Sequence, residues 1–532
     1  MALGMQTANA RFVCGRCRLA LNLAAKGRRF ASTALDSPEI YDVVTVGGGP
    51  AGLALLAALK ASPVTAHLKT ALIETQDLTK TRQWSLSKDQ FSNRASSLTP
   101  TSVAFLKNTG VWDHVDQSRV HAYDEMQVWD AGNDATIQFD WRSESQRYNA
   151  PPQTVATMTE NANLTRGLLE RLAQLDAETS LLSSTSVSSI QHGKDDPEGI
   201  NLSTWPVLEL DSKGGANATM NTTTKTSIAA RLLIGADGFN SPVRTFAGIN
   251  SKGWDYNRHG VVATLKVQTT EPEAQSYDNI FDDEAPSNRA TAYQRFLPQL
   301  GGPIAILPLP NNKASLVWST TPQNAAYIKS LPPAAQTAMI NAALRLSQTD
   351  LQYLLTLDAS KPETHASELH WRLQHTSLPS TLSRSPPIIT GIQENTLASF
   401  PLRFRHATAL VSPRVALLGD AAHTMHPLAG QGLNLGLADV KSLTETIAYA
   451  VEHGMDIGDM MALERYSADR FGKGLLLSGG VDLLNSLYQL GGNAEGTGLL
   501  GGVLSRARGL GMRAIDAGWV PGLKGLIMKQ AN

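Results

Sequence analysis

A glycine-rich turn between a strand and a helix constrains this chain more than any other feature. Residues 41–46 form an apolar run typical of a buried strand, and Gly47, Gly49 and Gly52 follow in a G-x-G-x-x-G pattern. An Ala- and Leu-rich helix is predicted over 53–60. The first glycine permits a tight turn, the second lets the backbone approach a pyrophosphate, and the third allows close helix–strand packing. The free N–H groups and positive end of the helix then face the phosphates.

The next predicted strand supports a nucleotide-binding interpretation of this turn. It covers residues 70–73 and ends at Glu74, 22 positions after Gly52. An acid at this place accepts hydrogen bonds from a ribose diol. Strand, helix and strand therefore form a βαβ unit. A glycine-rich turn without a ligand is the alternative interpretation of the motif.

Two later strands also deliver an acid at their carboxyl ends, where the ligands of open α/β sheets bind. One strand ends before Asp237 and Gly238, and the other, over 414–418, ends before Gly419 and Asp420. Each acid taken alone could simply cap a helix. The order and spacing of the three motifs together are much more specific.

With these motifs the chain resembles the class A flavoprotein aromatic hydroxylases, typified by p-hydroxybenzoate hydroxylase. The resemblance implies an α/β fold with a Rossmann-like FAD-binding domain of the GR2 type, an interleaved sheet-based substrate domain and a helical C-terminal tail. It implies FAD bound through the glycine turn, with Asp237 near the flavin and pyrophosphate and Asp420 at the ribityl or pyrophosphate portion. The implied cofactor-binding residues are Gly47, Gly49, Gly52, Glu74, Arg94, Asp237, Gly238, Gly419, Asp420, Pro427, Gly430, Gly432 and Asn434.

The resemblance also places a helix start against the flavin ring. Pro427, Gly430 and Gln431 are expected beside the isoalloxazine, and a helix begins near Gly432. Its N-terminus would stabilise negative charge on the reduced flavin. Arg94 is a candidate for contact with FAD or with the ring's substituents, and a surface ion pair is the alternative for it.

Four segments narrow the resemblance to the ubiquinone-biosynthesis monooxygenases: residues 93–98, 160–161, 400–402 and 426–434. The resemblance covers nearly all of 41–470. It implies hydroxylation at C5 of a polyprenylated 4-hydroxybenzoate by a flavin C4a-hydroperoxide formed from O2. The protein would orient the ring and exclude water, so no essential catalytic side chain is expected.

The reductant and the rival functions stay open at the sequence level. Many relatives take hydride from NAD(P)H, whereas the mitochondrial branch implies ferredoxin and ferredoxin reductase, within a complex of ubiquinone-biosynthesis proteins. The alternatives are a flavin-dependent reductase of a prenyl lipid and a non-catalytic, FAD-stabilised scaffold. A halogenase is disfavoured because no Trp-x-Trp-x-Ile-Pro segment occurs. His423 and His426 lack a third ligand, so no metal is expected.

The N-terminal segment has the composition of a targeting sequence. Residues 1–35 contain six basic residues and no acid, which predicts a mitochondrial transit peptide; a disordered basic tail is the alternative. The two cysteines, Cys14 and Cys17, lie within it, so a disulfide framework is excluded. The formal net charge of -1 argues against nucleic-acid binding. The sequence contains no run of 18 or more apolar residues, so no membrane-spanning helix is predicted.

The C-terminal segment is basic and amphipathic. From Gly501 onward, five Lys and Arg residues accompany a single acid, Asp516, among many apolar residues. Such a segment can lie on an anionic membrane, and a helix packed on its own domain or on a partner is the alternative. With the transit peptide, it predicts a peripheral protein on the matrix side of the mitochondrial inner membrane.

These motifs predict a domain organisation in which one fold is interrupted by another. The predicted segments are a transit peptide (1–35), FAD-binding segments (36–115, 153–249 and 395–470), substrate-domain segments (116–152 and 250–394) and a helical tail (471–532). A variable loop is expected over 191–227, and no function is assigned to it.

Overall fold

The computed structural model describes residues 38–133, 135–141, 154–175, 179–195, 200–213, 223–268, 290–380, 382–425, 430–489 and 510. The predicted transit peptide, Pro427 and nearly all of the predicted basic tail lie outside these ranges. The chain divides into two units, Met1–Pro38 and Glu39–Asn532, and every helix and strand below belongs to the second.

Eleven helices occur within the described ranges. They are α1 (Pro50–Ala61), α2 (Leu78–Arg82), α3 (Pro100–Asn108), α4 (Asn161–Gln174), α5 (Pro242–Phe246), α6 (Pro322–Ser330), α7 (Pro333–Arg345), α8 (Gln348–Leu354), α9 (Pro362–Leu373), α10 (Gly432–Glu452) and α11 (Met460–Gln489). Helix α1 covers the helix predicted over 53–60. Within these ranges, no helix has the length and apolar character needed to cross a membrane.

Twenty strands occur in the same ranges. They are β1 (Glu39–Val46), β2 (Thr70–Ile73), β3 (Ala95–Leu98), β4 (His121–Tyr123), β5 (Glu125–Asp130), β6 (Thr136–Asp140), β7 (Ala156–Glu160), β8 (Thr179–Leu182), β9 (Thr185–His192), β10 (Pro206–Lys213), β11 (Thr223–Gly235), β12 (Ser251–Val267), β13 (Thr291–Leu297), β14 (Gly302–Leu309), β15 (Lys313–Thr320), β16 (Ile389–Ile392), β17 (Ala398–Ala407), β18 (Val411–Ser412), β19 (Val415–Leu417) and β20 (His423–Thr424).

The first sheet has a parallel centre in the order β19-β11-β1-β2-β8. The second half of its middle strand, from Val43 to Val46, is buried at every position, as expected of a parallel sheet covered on both faces. Helix α1 packs against α4 and α10. The chain adds β2 on one side of β1 and later returns on the other side as β11. The sheet therefore has a topological switch point between β1 and β11, as in dinucleotide-binding α/β folds.

An antiparallel extension of this sheet occupies much of the segment expected to be a variable loop. Strand β10 pairs with both β9 and β11, so the loop expectation over 191–227 was wrong in this part. The sequence does carry an alternating pattern there, because Leu208 and Leu210 are buried and alternate with the acids Glu209 and Asp211. The surrounding Ser and Thr residues obscured this short pattern.

A second, mostly antiparallel sheet follows the order β20-β17-β12-β15-β14-β13-β5-β6, with β16 beside β12. Helices α6 to α9 belong to the core on one of its faces, where Trp129 and Trp318 are almost completely buried. A small third sheet, β3-β7-β4, lies beside a separate apolar cluster that includes Tyr123 and Leu307. The mixed α/β architecture predicted from the sequence is confirmed.

Candidate active site

The glycine turn and the three acids singled out in the sequence lie at the carboxyl ends of four neighbouring parallel strands. Glu74 follows β2, Gly47 follows β1, Asp237 follows β11, and Asp420 follows β19. Because the carboxyl ends of parallel strands meet at one edge of a sheet, the four turns face the same crevice.

The three glycines of the first turn differ in what surrounds them. Gly47 has a left-handed backbone (φ +110°), and a Cβ there would lie 2.2 Å from the carbonyl oxygen of Ala236. A Cβ at Gly52 would lie 2.0 Å from the carbonyl oxygen of Gly47. A Cβ at Gly49 would meet no atom within 4 Å. The first and third glycines are therefore needed for internal packing, whereas the second leaves the backbone open to a ligand.

Glu74 lies directly against this turn. Its Oε2 accepts a hydrogen bond from the Gly48 N–H at 2.6 Å, and its Oε1 accepts one from the Gln76 N–H at 2.7 Å. The side chain is half-buried. The backbone thus holds the carboxylate in place at the rim of the crevice.

Asp237 carries a buried oxygen without a hydrogen-bond partner. Its Oδ2 accepts from the Val243 N–H at 3.1 Å, whereas Oδ1 is buried and finds no partner among the described residues. Burial raises the pKa of this carboxyl above its ordinary value. The following Gly238 has φ +80°, and a Cβ there would meet nothing within 4 Å. The turn therefore presents an acceptor that a ligand hydroxyl could satisfy.

Asp420 lies in a short 3-10 turn, Gly419–Ala421. Its side chain contacts solvent, yet the surrounding protein still desolvates the carboxylate and raises its pKa, against the opposing effect of His423. This combination is typical of an acid in a concave surface. Gly419 adopts a left-handed conformation (φ +57°) beside Ala51 of α1, so this turn adjoins the glycine turn.

Arg244 connects the two acidic turns, a role that the sequence prediction did not assign. One guanidinium nitrogen donates to the carbonyl oxygen of Ala421 and another to that of Phe239, both at 2.7 Å. Ser241 caps α5 by accepting from the Arg244 N–H at 2.9 Å. The Ser-x-x-Arg spacing after the acid is visible in the sequence, but the bridged carbonyls lie far apart along the chain.

The start of α10 lies on another side of the crevice. Among the described residues, no side chain caps the N-terminus of α10, and a Cβ at Gly432 would meet none of their atoms within 4 Å. Gln431 is buried at the cap position. Gly430 has φ +60°, and a Cβ there would lie 3.4 Å from Cβ of Ser97. The uncapped N–H groups of this helix can therefore face an electron-rich ligand.

Asn434 connects the start of α10 to β3. Its Nδ2 donates to the carbonyl oxygen of Ser97 at 2.8 Å, and its Oδ1 accepts from the Thr99 N–H at 2.9 Å. The protein thus already uses both ends of the amide. Asn434 would serve a cofactor by holding β3 beside Gly430.

Arg94 immediately precedes β3 and is exposed. Its carbonyl oxygen accepts from the Asn161 N–H at 2.9 Å, which fixes the backbone of this segment. In the part of the chain that the structure describes, no acid pairs with the guanidinium. The side chain is therefore available to a ligand or to solvent.

The large sheet contributes an apolar surface on the face opposite α6 to α9. Ala398, Val262, Val317 and Ala305 are direct cross-strand neighbours on four adjacent strands, and each is half-buried. Phe400, two positions along from Ala398, is 42% exposed on the same face. We call this row, with Phe400, the apolar floor. Side chains of this kind suit an aromatic or prenyl ligand.

The site fits FAD on three observations: the open position at Gly49, the unpartnered oxygen of Asp237 and the uncapped N-terminus of α10. Over the described ranges, no three His, Cys, Asp or Glu side chains converge as a metal site. His423 instead bonds to Asp439, and His426 lies outside those ranges.

Comparison with known proteins agrees with this geometry. The sequence profile described as the FAD binding domain matches residues 40–472. The mitochondrial ubiquinone biosynthesis monooxygenase COQ6 of Schizosaccharomyces pombe is 36% identical over 464 residues, covering 87% of this chain and 88% of the relative. The Saccharomyces cerevisiae protein of the same name is 36% identical, covering 87% and 89%. The human protein is 32% identical, covering 89% and 91%.

Solved structures share the fold at much lower identity. The p-nitrophenol 4-monooxygenase of Pseudomonas putida superposes with a TM-score of 0.59 at 18% identity, covering 93% of this chain and 99% of that one. The anhydrotetracycline hydroxylase OxyS of Streptomyces rimosus gives a TM-score of 0.55 at 17% identity, covering 92% and 75%.

Proposed function

Because the chain belongs to the family of FAD-dependent ubiquinone biosynthesis monooxygenases, we propose that it hydroxylates C5 of a polyprenylated 4-hydroxybenzoate. It is an FAD-dependent monooxygenase of ubiquinone biosynthesis, and the relatives indicate that it is mitochondrial. Both the C5 position and the prenylated substrate belong to this proposal.

One structural observation carries the cofactor assignment. Glycine and acidic turns from four parallel strands meet at the topological switch point of a single sheet. We infer that the turn at Gly49 takes the pyrophosphate and that Glu74 takes a ribose. Asp237 and Asp420 accept hydrogen bonds from the remaining hydroxyl and ribityl groups, since both lie in the same crevice.

The protein's own contribution to the reaction is binding, orientation and exclusion of water. FAD, when bound, supplies the activation of O2. The N–H groups at the start of α10 would stabilise negative charge on a flavin ring bound beside this helix. The apolar floor holds the substrate ring and the first part of its prenyl chain away from water.

We further propose that the flavin is reduced by ferredoxin and its reductase and that the enzyme works in a complex with other ubiquinone-biosynthesis proteins. A peripheral position on the matrix side of the inner membrane, reached through the basic segment after Gly501, suits a polyprenyl substrate. Deleting 500–532 is expected to abolish binding to anionic liposomes, and unchanged binding would reject the membrane contact.

The experiment that tests this function uses the purified yellow protein with a defined prenylated 4-hydroxybenzoate and O2. One arm contains ferredoxin and its reductase with NADPH, and the other arm contains NADPH or NADH alone. The C5-hydroxylated product is expected with the ferredoxin arm. Product from NAD(P)H alone would reject the ferredoxin proposal, whereas flavin that no donor reduces would favour a non-catalytic scaffold.

A further inference from the structure

Three ionisable side chains are buried together behind the turn that carries Asp420. Asp439 of α10, Arg470 of α11 and His423 of β20 are 1%, 8% and 4% exposed. The site described above uses none of them. A buried charge costs free energy unless it is paired and hydrogen-bonded, so the contacts of each atom show what the cluster does.

One carboxylate oxygen of Asp439 accepts a hydrogen bond from α11, and the other accepts hydrogen bonds from the turn and from β20. Oδ1 accepts from Arg470 Nε at 2.9 Å. Oδ2 accepts from the Gly419 N–H at 3.2 Å and from His423 Nε2 at 2.5 Å. Burial opposes ionisation of Asp439, but His423 and Arg470 outweigh it and lower its pKa. The carboxylate is therefore charged, and Arg470 balances it.

His423 bonds to Asp439 through a single ring nitrogen. Its Nδ1 is buried and has no hydrogen-bond partner among the described residues. Because an ionised carboxylate only accepts hydrogen bonds, Nε2 is the donor to Asp439. Through this bond Asp439 restrains β20, the strand that follows the turn. The turn is therefore held at Gly419 on one end and at His423 on the other.

We propose that Asp439 is a positioning residue that, by accepting the Gly419 N–H, fixes the turn presenting Asp420 to FAD. The turn is confined on its other sides, because a Cβ on Gly436 of α10 would lie 3.4 Å from the Gly419 Cα and Ala51 of α1 is also close. Arg470 neutralises the charge, and in the described ranges no hydrogen bond joins its side chain to the turn. This inference rests on the assignment of Asp420 to FAD in the proposed function.

The test separates the hydrogen bond from the buried charge by means of two double variants. In Asp439→Asn with Arg470→Gln, the Asn oxygen still accepts from Gly419 and its amide nitrogen can donate to the Gln. In Asp439→Leu with Arg470→Met, the charge is also removed but no acceptor remains. Replacing a buried ion pair by apolar groups is often neutral for stability, so both variants are expected to fold.

The readouts are the FAD dissociation constant, the visible circular dichroism of bound FAD and the melting temperature of the apoprotein. The Asn/Gln variant is expected to bind FAD within about threefold of the parent, and the Leu/Met variant roughly tenfold more weakly with an altered flavin spectrum. Asp469→Asn is the matched control, since Asp469 joins the same two helices through Ser442 and, in the described ranges, makes no hydrogen bond to the turn. It is expected to leave FAD binding unchanged.

Two results would overturn the proposal: equal FAD affinity in the two double variants, or affinity losses that follow melting temperature across all variants, including the control. Asp420→Ala is measured in parallel. If that variant retains full FAD affinity, the cofactor assignment itself fails; if it loses FAD while both double variants bind normally, only the positioning role fails.

Discussion

At the scale of single residues, the glycines of the first turn have separable effects on stability and binding. Gly49→Ala is expected to leave the unfolding free energy of the apoprotein nearly unchanged, because its Cβ meets no atom within 4 Å. Its FAD affinity should fall at least about tenfold, which is about 1.4 kcal/mol, since the methyl group would occupy the space proposed for the pyrophosphate. FAD titration and urea unfolding measure the two quantities.

Gly52→Ala is the matched variant with the opposite expectation. Its Cβ would lie 2.0 Å from a backbone oxygen, so the apoprotein should lose about 3 kcal/mol of unfolding free energy. If Gly49→Ala proved the more destabilising of the two, the division of roles within the turn would be wrong.

The buried carboxylate of Asp237 is expected to lower the stability of the apoprotein. Burial raises its folded-state pKa, so the native state binds this proton more tightly than the unfolded state does. Stability therefore falls as pH rises from the unfolded pKa of about 3.9 through the raised folded value. Asp237→Asn should raise the melting temperature of the apoprotein at pH 7.5 by about 1–2 °C while weakening FAD binding.

The pH dependence supplies the control for this variant. Below about pH 3 the parent carboxyl is protonated in both states, so the gain in melting temperature should disappear. A gain that is constant from pH 4 to 8 would show that ionisation of Asp237 is not its cause.

Single residues also show where sequence reasoning succeeds. The glycine turn and the acids after β2, β11 and β19 could be predicted, because each lies next to a strand with a strong local pattern. Asp439 could not be predicted, because an acid on an amphipathic helix is ordinarily exposed. Its partners Gly419 and Arg470 are set by tertiary packing.

At the scale of elements, Arg244 couples the ends of β11 and β19. Arg244→Lys is expected to weaken FAD binding roughly tenfold, because one ammonium group cannot reach both carbonyl oxygens in the planar geometry of the guanidinium. Arg231→Lys is the control, since Arg231 lies near the middle of β11 and bonds to Asp456 instead. Equal losses in both variants, measured by FAD titration, would contradict the coupling.

Helices and strands with a clear hydrophobic pattern could be predicted from the sequence, and those with a weak pattern could not. The predictions for β1, β2 and α1 agree with the structure because their apolar runs are long and bounded by clear turn residues. Strand β10 was missed, although Leu208 and Leu210 alternate with acids. Its place in the sheet depends on pairing with β9 and β11, which local sequence does not reveal.

At the scale of the whole molecule, the proposed function assigns FAD binding to the parallel sheet and substrate binding to the large sheet. Val262→Trp would fill the centre of the apolar floor and is expected to raise the KM for a prenylated substrate roughly tenfold, with FAD affinity unchanged. Lys266→Trp is the control, because Lys266 is exposed further along the same strand. Loss of FAD in Val262→Trp, or an equal KM effect in the control, would remove the floor from the substrate site.

Isotopic labelling tests most directly whether this protein inserts one atom of O2 into an aromatic ring. The purified flavoprotein is supplied with a prenylated 4-hydroxybenzoate, its electron donor and ¹⁸O₂, and the product is analysed by mass spectrometry. We expect one ¹⁸O atom in each hydroxylated product molecule. A product without the label, or O2 consumption that yields only hydrogen peroxide with saturating substrate, would contradict it.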